Sequence, residues 1–134
     1  MKRLAFTLVE LLIVVIILGI LAAVVVPQFS DASGDAQLSS LTTNLQTIRG
    51  QIELYKLQHS GTYPTLTSFV AQMTAGTDIN GAAGSDFGPY LQAIPKNPYN
   101  NLNDLSATLD GTTGWMYNQT TGEFRANDGG HDTL

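Results

Sequence analysis

The chain opens with a long apolar run that a single acidic residue precedes. From Leu11 to Val26 every residue is apolar or small, and the carboxylate of Glu10 stands directly before this run. A helix from Phe6 to Val26 would measure about 31 Å at ~1.5 Å per residue, close to the ~30 Å of a hydrocarbon core. The pattern therefore predicts a helix that spans a membrane.

Glu10 is the unusual residue of this segment. A charged side chain in a membrane helix costs free energy, roughly 2.5–3.5 kcal/mol near the bilayer centre on insertion scales. The position therefore requires a partner or a function. Lys2 and Arg3 precede the run, and the positive-inside bias places this basic end in the cytoplasm. The remainder of the chain then faces outward.

A second apolar pattern follows at helical spacing. Its residues recur at intervals of 3, 4, 3, 4 and 3: Leu38, Leu41, Leu45, Ile48, Ile52 and Tyr55. This stripe predicts an amphipathic helix that packs on the carboxyl-terminal part of the same chain, with coiled-coil pairing as the alternative. Pro27 lies between the two patterns and is predicted to bend the helix or break its hydrogen-bond ladder. Gly61 and Pro64 are predicted to end it.

Strand signals follow in the last third of the sequence. Trp115–Tyr117 and Glu123–Arg125 read as two arms of a hairpin, and Ser106–Leu109 as a further strand. We expect an antiparallel sheet of two to four strands against the Leu38–Tyr55 stripe. The predicted fold class is α+β: a long amino-terminal helix, whose first half spans the membrane, packed on a small antiparallel sheet.

Composition excludes several classes of function. The chain has 134 residues, a formal net charge of −5 and no cysteine, which excludes disulfides, thiolate zinc sites and a cysteine lipid anchor. The four basic residues beyond Lys2 and Arg3 are scattered, whereas nucleic-acid binding needs clustered Lys and Arg. Two histidines, His59 and His131, form no nucleophile–base pattern. We predict a non-enzymatic protein that requires no cofactor.

The segment Ala5-Phe-Thr-Leu-Val-Glu10, continued by the apolar run, resembles the class III signal of type IV pilins and of type II secretion pseudopilins. The resemblance implies that a prepilin peptidase cuts between Ala5 and Phe6 and that the new amino group of Phe6 is methylated. This sequence departs from the family pattern at Ala5, where the family usually has glycine. A secretory signal peptide and a plain membrane anchor are the alternatives, and neither explains Glu10.

The same resemblance implies a division of the chain. Residues 1–5 would be a cleaved leader, and residues 6–60 a long helix whose part 6–26 is the transmembrane segment or filament core and whose part 27–60 is amphipathic. Residues 61–134 would form a globular domain, with a loop between helix and sheet.

The resemblance also assigns roles in assembly. Glu10 would pair with the Phe6 amino group of a neighbouring subunit, and the alternative is a contact within one subunit, since the two residues are i,i+4 neighbours. Pro27 would mark the place where the helix melts on assembly.

A second segment, Tyr90-Leu91 followed by Pro95-Lys-Asn-Pro98, resembles major pseudopilins of type II secretion. It implies a subunit of a helical, pilus-like filament that drives export of secreted proteins. A type IV pilus subunit, serving adhesion, motility or DNA uptake, is the alternative. A membrane-anchored periplasmic binding protein is the more distant one.

Partners and location follow from the same resemblance. The expected partners are further copies of the chain, prepilin peptidase, other pseudopilins, an inner-membrane assembly platform and, before assembly, inner-membrane lipid. We expect a single-pass protein of a bacterial inner membrane, with its amino terminus cytoplasmic and its carboxyl-terminal domain periplasmic. After assembly it would form a periplasmic or extracellular filament.

The carboxyl-terminal tail carries candidate ligands for calcium. Calcium takes six to eight oxygen ligands, and Asp128 and Asp132 lie among glycines in this tail. Major pseudopilins have a calcium site in their carboxyl-terminal loops, and the resemblance implies a site here, with Asp110 and Asp104 as further ligands. The sequence matches that pattern only loosely, and a solvated tail without metal is the favoured interpretation.

Overall fold

The computed structural model describes the backbone of residues 6–134 and the side chains of residues 6–25 and 33–134. The predicted leader, residues 1–5, lies outside these residues, and so does Ala5 of the predicted cleavage site. The chain divides into two compact units, one ending at Ala36 and one comprising Gln37–Leu134. The division into leader, helix and globular domain stays a prediction.

One long helix, α1, runs from Leu8 to Gln58. It continues as helix through Pro27, where the missing backbone N–H of proline removes one hydrogen bond of the ladder. The predicted bend at Pro27 stays a prediction. At its end, Ser60 and Gly61 have φ values of 55° and 86°, and the Gly61 N–H donates to the Lys56 carbonyl at 2.8 Å. This is the left-handed helix ending that Gly61 predicts.

A 3₁₀ turn, Leu66–Ser68, and a short helix, α2 (Phe69–Thr74), follow α1. Three strands then form one sheet in the order β1 (Leu105–Ser106), β2 (Trp115–Asn118) and β3 (Glu123–Ala126). β2 and β3 pair antiparallel, with Tyr117 opposite Phe124, which confirms the predicted hairpin.

The predicted antiparallel sheet needs correction, because β1 pairs parallel to β2, with Leu105 opposite Trp115. The sheet is therefore mixed. The predicted strand at Ser106–Leu109 ends at Ser106, since the following residues turn toward the carboxyl-terminal segment: the Thr108 carbonyl accepts a hydrogen bond from Asn127 Nδ2 at 3.0 Å.

The core of the second unit lies between α1, α2 and the sheet. Five residues of the predicted helical stripe are buried together with side chains of the other elements: Leu41, Leu45, Ile48, Ile52, Tyr55, Phe69, Met73, Trp115, Tyr117 and Phe124. Leu38 is the exception, at 41% exposed. The stripe therefore packs on its own sheet, as predicted, from Leu41 onward.

The Tyr90–Pro98 segment connects the end of α1, α2 and β2. The N–H groups of Tyr90 and Leu91 both donate to the Met73 carbonyl, at 3.0 and 2.8 Å, and Tyr90 Oη donates to Gln58 Oε1 at 2.7 Å. Further along, the Pro95 carbonyl accepts from Trp115 Nε1 at 2.9 Å. The segment thus closes one side of the core.

Candidate functional site

Thr7 and Glu10 cap the amino-terminal end of α1. The backbone N–H and the Oγ1 of Thr7 both donate to Glu10 Oε2, at 2.9 and 2.7 Å, and the Glu10 N–H donates to Thr7 Oγ1 at 3.2 Å. This reciprocal arrangement is a capping box, which satisfies free N–H groups at the start of a helix. It fixes the Glu10 carboxylate beside the first turn of α1.

Phe6, the residue that the predicted cleavage would make first, directly precedes this cap and is 72% exposed. Both donors from Thr7 fall on the same carboxylate oxygen, Oε2. Oε1 can therefore accept a further donor while the cap stays intact. An ammonium group is a donor of the kind that a carboxylate oxygen binds strongly.

The apolar part of α1 presents its side chains outward over its whole circumference. Leu8–Val25 is the one stretch of the described residues that is long and apolar enough to cross a membrane. Its large apolar side chains range from 43% exposed at Val25 to 80% at Leu8. Such a surface requires lipid or other apolar helices around it. The side chain of Pro27 lies outside the described residues, and its predicted role in assembly stays a prediction.

In the second unit, one exposed strip of α1 on the side away from the core contains no charged residue, although the exposed Glu53 lies beside it. We call it the outer face, and it consists of six exposed residues: Ser40, Thr43, Thr47, Gly50, Leu54 and Leu57. Each lies two residues after a member of the Leu38–Tyr55 stripe, a rotation of about 200° around the helix. An outward helix face normally carries charged residues, so this face is suited to contact with another surface.

The two threonine hydroxyls of the outer face already form hydrogen bonds within the helix. The hydroxyls of Thr43 and Thr47 donate to the carbonyls four residues earlier, each at 2.9 Å. At the other end of the face, Leu57 is 81% exposed, and a Cβ added at Gly50 would meet nothing within 4 Å. Burial against a partner would leave no hydroxyl of these two threonines without a hydrogen bond.

The predicted calcium ligands lie in the carboxyl-terminal loops, each in its own set of hydrogen bonds. Asp104 Oδ1 accepts from the Gly114 N–H at 3.0 Å, and Asp132 Oδ1 accepts from the Gly129 N–H at 3.0 Å. Asp110 Oδ1 accepts from the N–H and the Oγ1 of Thr112, at 3.0 and 2.7 Å. The Thr112 hydrogen bonds lower the pKa of Asp110 from 3.8 to about 2.

Asp128 is held by a different group of donors. Its Oδ1 accepts from the N–H groups of Gly130 and His131, both at 2.9 Å, and contacts His131 Nδ1 at 3.0 Å. Its Oδ2 accepts from Asn97 Nδ2 at 3.0 Å. Burial raises the pKa of Asp128, but the hydrogen bonds from Asn97, Gly130 and His131 outweigh it and lower the pKa overall.

This geometry does not fit calcium held by Asp110, Asp128 and Asp132. Calcium needs several oxygens directed at one point, at about 2.3–2.6 Å from the ion. Here oxygens of each carboxylate are bonded to N–H or O–H donors of the chain, and the described residues contain no group of three or more acidic, histidine or cysteine side chains that could hold a metal. Calcium binding itself stays a prediction.

Sequence reasoning missed three features of these regions. The capping box was readable, because Thr7-Leu-Val-Glu10 has the required Thr-x-x-Glu spacing. The outer face was also readable, by shifting the apolar stripe by two residues. The buried asparagines Asn97 and Asn127 had no local signal, since their partners are distant in sequence.

Two family models match the chain, and together they span most of it. The prokaryotic N-terminal methylation motif matches residues 1–26. The model of type II secretion system (T2SS) protein G matches residues 28–119, which include the outer face, α2, the Tyr90–Pro98 segment and β2.

Individual relatives agree with the family models. The chain is 34% identical to type II secretion system core protein G of Vibrio cholerae over 104 residues, which cover 75% of this chain and 68% of that protein. The core protein G of Klebsiella pneumoniae is 29% identical over 98 residues, covering 73% and 70%. A fimbrial protein of Neisseria meningitidis is 38% identical over 76 residues, covering 57% and 44%.

No solved structure matches the chain. The fimbrial relative covers less of this chain than the core protein G relatives do, and it therefore supports the type IV pilin alternative less. With an amino-terminal methylation motif, a long apolar helix and a protein G domain, the chain belongs to the type II secretion system protein G family of major pseudopilins.

Proposed function

We propose that this pseudopilin is inserted in the inner membrane with a cytoplasmic amino terminus and polymerises into a periplasmic filament that drives the export of secreted proteins. The observation that supports the proposal most directly is the apolar segment Leu8–Val25, whose large side chains are exposed all around the helix. In the membrane, lipid covers this surface. In the filament, the same segments of neighbouring subunits replace the lipid.

Glu10 sets the register of this packing. Prepilin peptidase would cut before Phe6 and create an ammonium group, which can bond Oε1 of Glu10 in a neighbouring subunit while Thr7 holds Oε2. Attraction between two such charges ~4 Å apart rises from ~1 kcal/mol in water to ~4 kcal/mol at an effective dielectric of ~20. Because the packed apolar helices exclude water, the attraction between the Phe6 ammonium and the Glu10 carboxylate is stronger in the filament than in water.

The outer face supplies a second contact between subunits. Removal of the leader with Lys2 and Arg3 changes the formal net charge of the subunit from −5 to −7, so like-charged copies approach with less repulsion at a strip without charged residues. The exposed leucines Leu54 and Leu57 gain hydrophobic free energy when they are buried there.

Deletion of the gene, with complementation, tests the function. We expect loss of exoproteins from the medium, normal surface motility, and restoration by the wild-type chain but not by Glu10→Ala. Normal secretion with lost motility would contradict the proposal in favour of the type IV pilus alternative. Normal secretion and motility, with a chain that stays monomeric in detergent, would contradict it in favour of an anchored binding protein.

A further inference from the structure

We propose that the side-chain amide of Asn127 closes the carboxyl-terminal loops as a bound cation would, and that this chain therefore reaches full stability without calcium. Asn127 directly follows β3 and is 0% exposed. The proposal concerns the stability of the globular unit and does not depend on the function proposed above.

Three oxygens from one loop converge on a single nitrogen atom of Asn127. Its Nδ2 donates to the Thr113 Oγ1 at 2.7 Å, to the Thr108 carbonyl at 3.0 Å and, at a longer 3.4 Å, toward Asp110 Oδ1. Hydroxyl, carbonyl and carboxylate oxygens are the ligands that calcium takes in proteins. The electropositive NH₂ group thus stands at the centre of an oxygen cluster of the kind that otherwise attracts a cation.

The orientation of the amide is fixed by its other end. Asn127 Oδ1 accepts from the N–H groups of Asp110 and Gly111, at 3.0 and 2.8 Å. A flipped amide would turn its oxygen toward three oxygens and its NH₂ toward two N–H donors, which is unfavourable at both ends. Thr113 agrees with this assignment: its hydroxyl donates to the Trp115 carbonyl at 3.0 Å, so its oxygen is free to accept from Asn127.

A second buried amide, that of Asn97, forms hydrogen bonds that connect the carboxyl-terminal tail to the rest of the unit. It is 0% exposed, and its Nδ2 donates to the Gly114 carbonyl and to Asp128 Oδ2, both at 3.0 Å. The Asp128 carboxylate is thereby engaged by Asn97 and by the tail itself rather than by the loop that contains Asp110. Two neutral amides thus join the loop 108–113 and the segments around residues 97 and 128, and they contact one carboxylate oxygen each of Asp110 and Asp128, two of the predicted metal ligands.

The test uses the full chain in detergent micelles, with its thermal midpoint measured in millimolar calcium and in excess chelator. The wild type should unfold at the same temperature in both. Asn127→Asp replaces the two N–H donors by a carboxylate oxygen facing the same three oxygens. In chelator it should lower the midpoint by about 10 °C, since buried polar groups lose partners, and calcium should recover part of this loss.

Asn80→Asp is the matched control, because Asn80 is exposed and the change adds the same charge. A wild-type midpoint that rises in calcium would overturn the proposal. The proposal would also be overturned if Asn127→Asp were as stable in chelator as Asn80→Asp. Absence of any calcium effect on the midpoint of Asn127→Asp would contradict the cation-like role of Nδ2.

Hydrogen exchange of the wild type keeps the proposal testable even where Asn127→Asp does not fold. The Asp110 and Gly111 N–H groups bond to Asn127, so they should be protected equally in calcium and in chelator. Protection that appears only in calcium would contradict the proposal.

Discussion

Thr7 and Glu10 bond each other reciprocally, and all of the Thr7 donors fall on one oxygen of the Glu10 carboxylate, Oε2. Glu10 therefore has two separable properties: a cap that starts α1, and a negative charge with a second oxygen for a neighbour. Glutamine retains the first property and removes the second, because Gln also serves in a capping box.

Two variants distinguish the role of the Glu10 charge from the role of the helix cap. Glu10→Gln keeps the hydrogen bond to Thr7 but loses the partner for the Phe6 ammonium, so we expect insertion and cleavage to continue and filaments to be lost. Thr7→Ala removes the cap, at a cost of about 1 kcal/mol of helix stability, and should still assemble. The measurement for both variants is the filament yield after shearing. The amount of the protein in the membrane and the identity of its amino-terminal residue are the controls for insertion and cleavage. Normal filaments from Glu10→Gln would contradict the charge-pair role.

The outer face of α1 predicts an assembly defect without a folding defect. Leu57→Glu places a charge on a side chain that is 81% exposed, so the stability of the monomer should change by less than about 0.5 kcal/mol. Filament yield should fall several-fold, because a buried charge repels neighbouring acidic subunits. Val70→Glu is the matched control, since Val70 is also exposed, at 52%, but lies on α2. Equal yields from both variants would argue against this face.

The same helix offers a matched pair for core stability. Ile52 is 0% exposed, and Ile52→Ala should lower the free energy of unfolding by about 2–5 kcal/mol through lost burial and a cavity. Leu57→Ala removes a similar side chain from the outer face and should cost less than about 0.5 kcal/mol. Denaturant unfolding of the full chain in micelles compares them, and similar losses would contradict the assignment of the two faces.

Acid should loosen the carboxyl-terminal loops. The Thr112 hydrogen bonds lower the pKa of Asp110 from 3.8 to about 2. Since this pKa is lower in the folded state, the stabilisation is complete above about pH 4 and is lost as the pH falls toward about 2. The urea midpoint should decline across this window, and Asp110→Asn should flatten the decline. An unchanged profile in Asp110→Asn would show that this carboxylate is not responsible.

Elements with a regular apolar pattern were predictable. The stripe from Leu41 to Tyr55 was predictable because burial of one face imposes a period of 3.6 on a helix. The Trp115–Tyr117 hairpin arm, whose three residues are all buried, was predictable from its aromatic residues beside a turn signal. The parallel pairing of Leu105 with Trp115 was not predictable, because it depends on the path of the loop between these two residues.

The candidate sites also differ in how much of them the sequence predicts. The positions of Phe6 and Glu10 follow from a local motif, and their roles in cleavage and pairing stay predictions. The tail was read by composition alone, as oxygen ligands among glycines, whereas its geometry depends on Asn97 and Asn127. Each of these amides bonds residues far along the chain, such as Asp128 at 31 residues from Asn97, and no sequence pattern reports such partners.

The most direct test is mass spectrometry of the native chain recovered from the sheared, sedimentable filament fraction. The account predicts that the polymerised chain begins at an N-methylated Phe6, with Glu10 retained at the fifth position. A chain found only in the detergent-soluble membrane fraction, and still carrying Met1 or beginning near Val24, would contradict it.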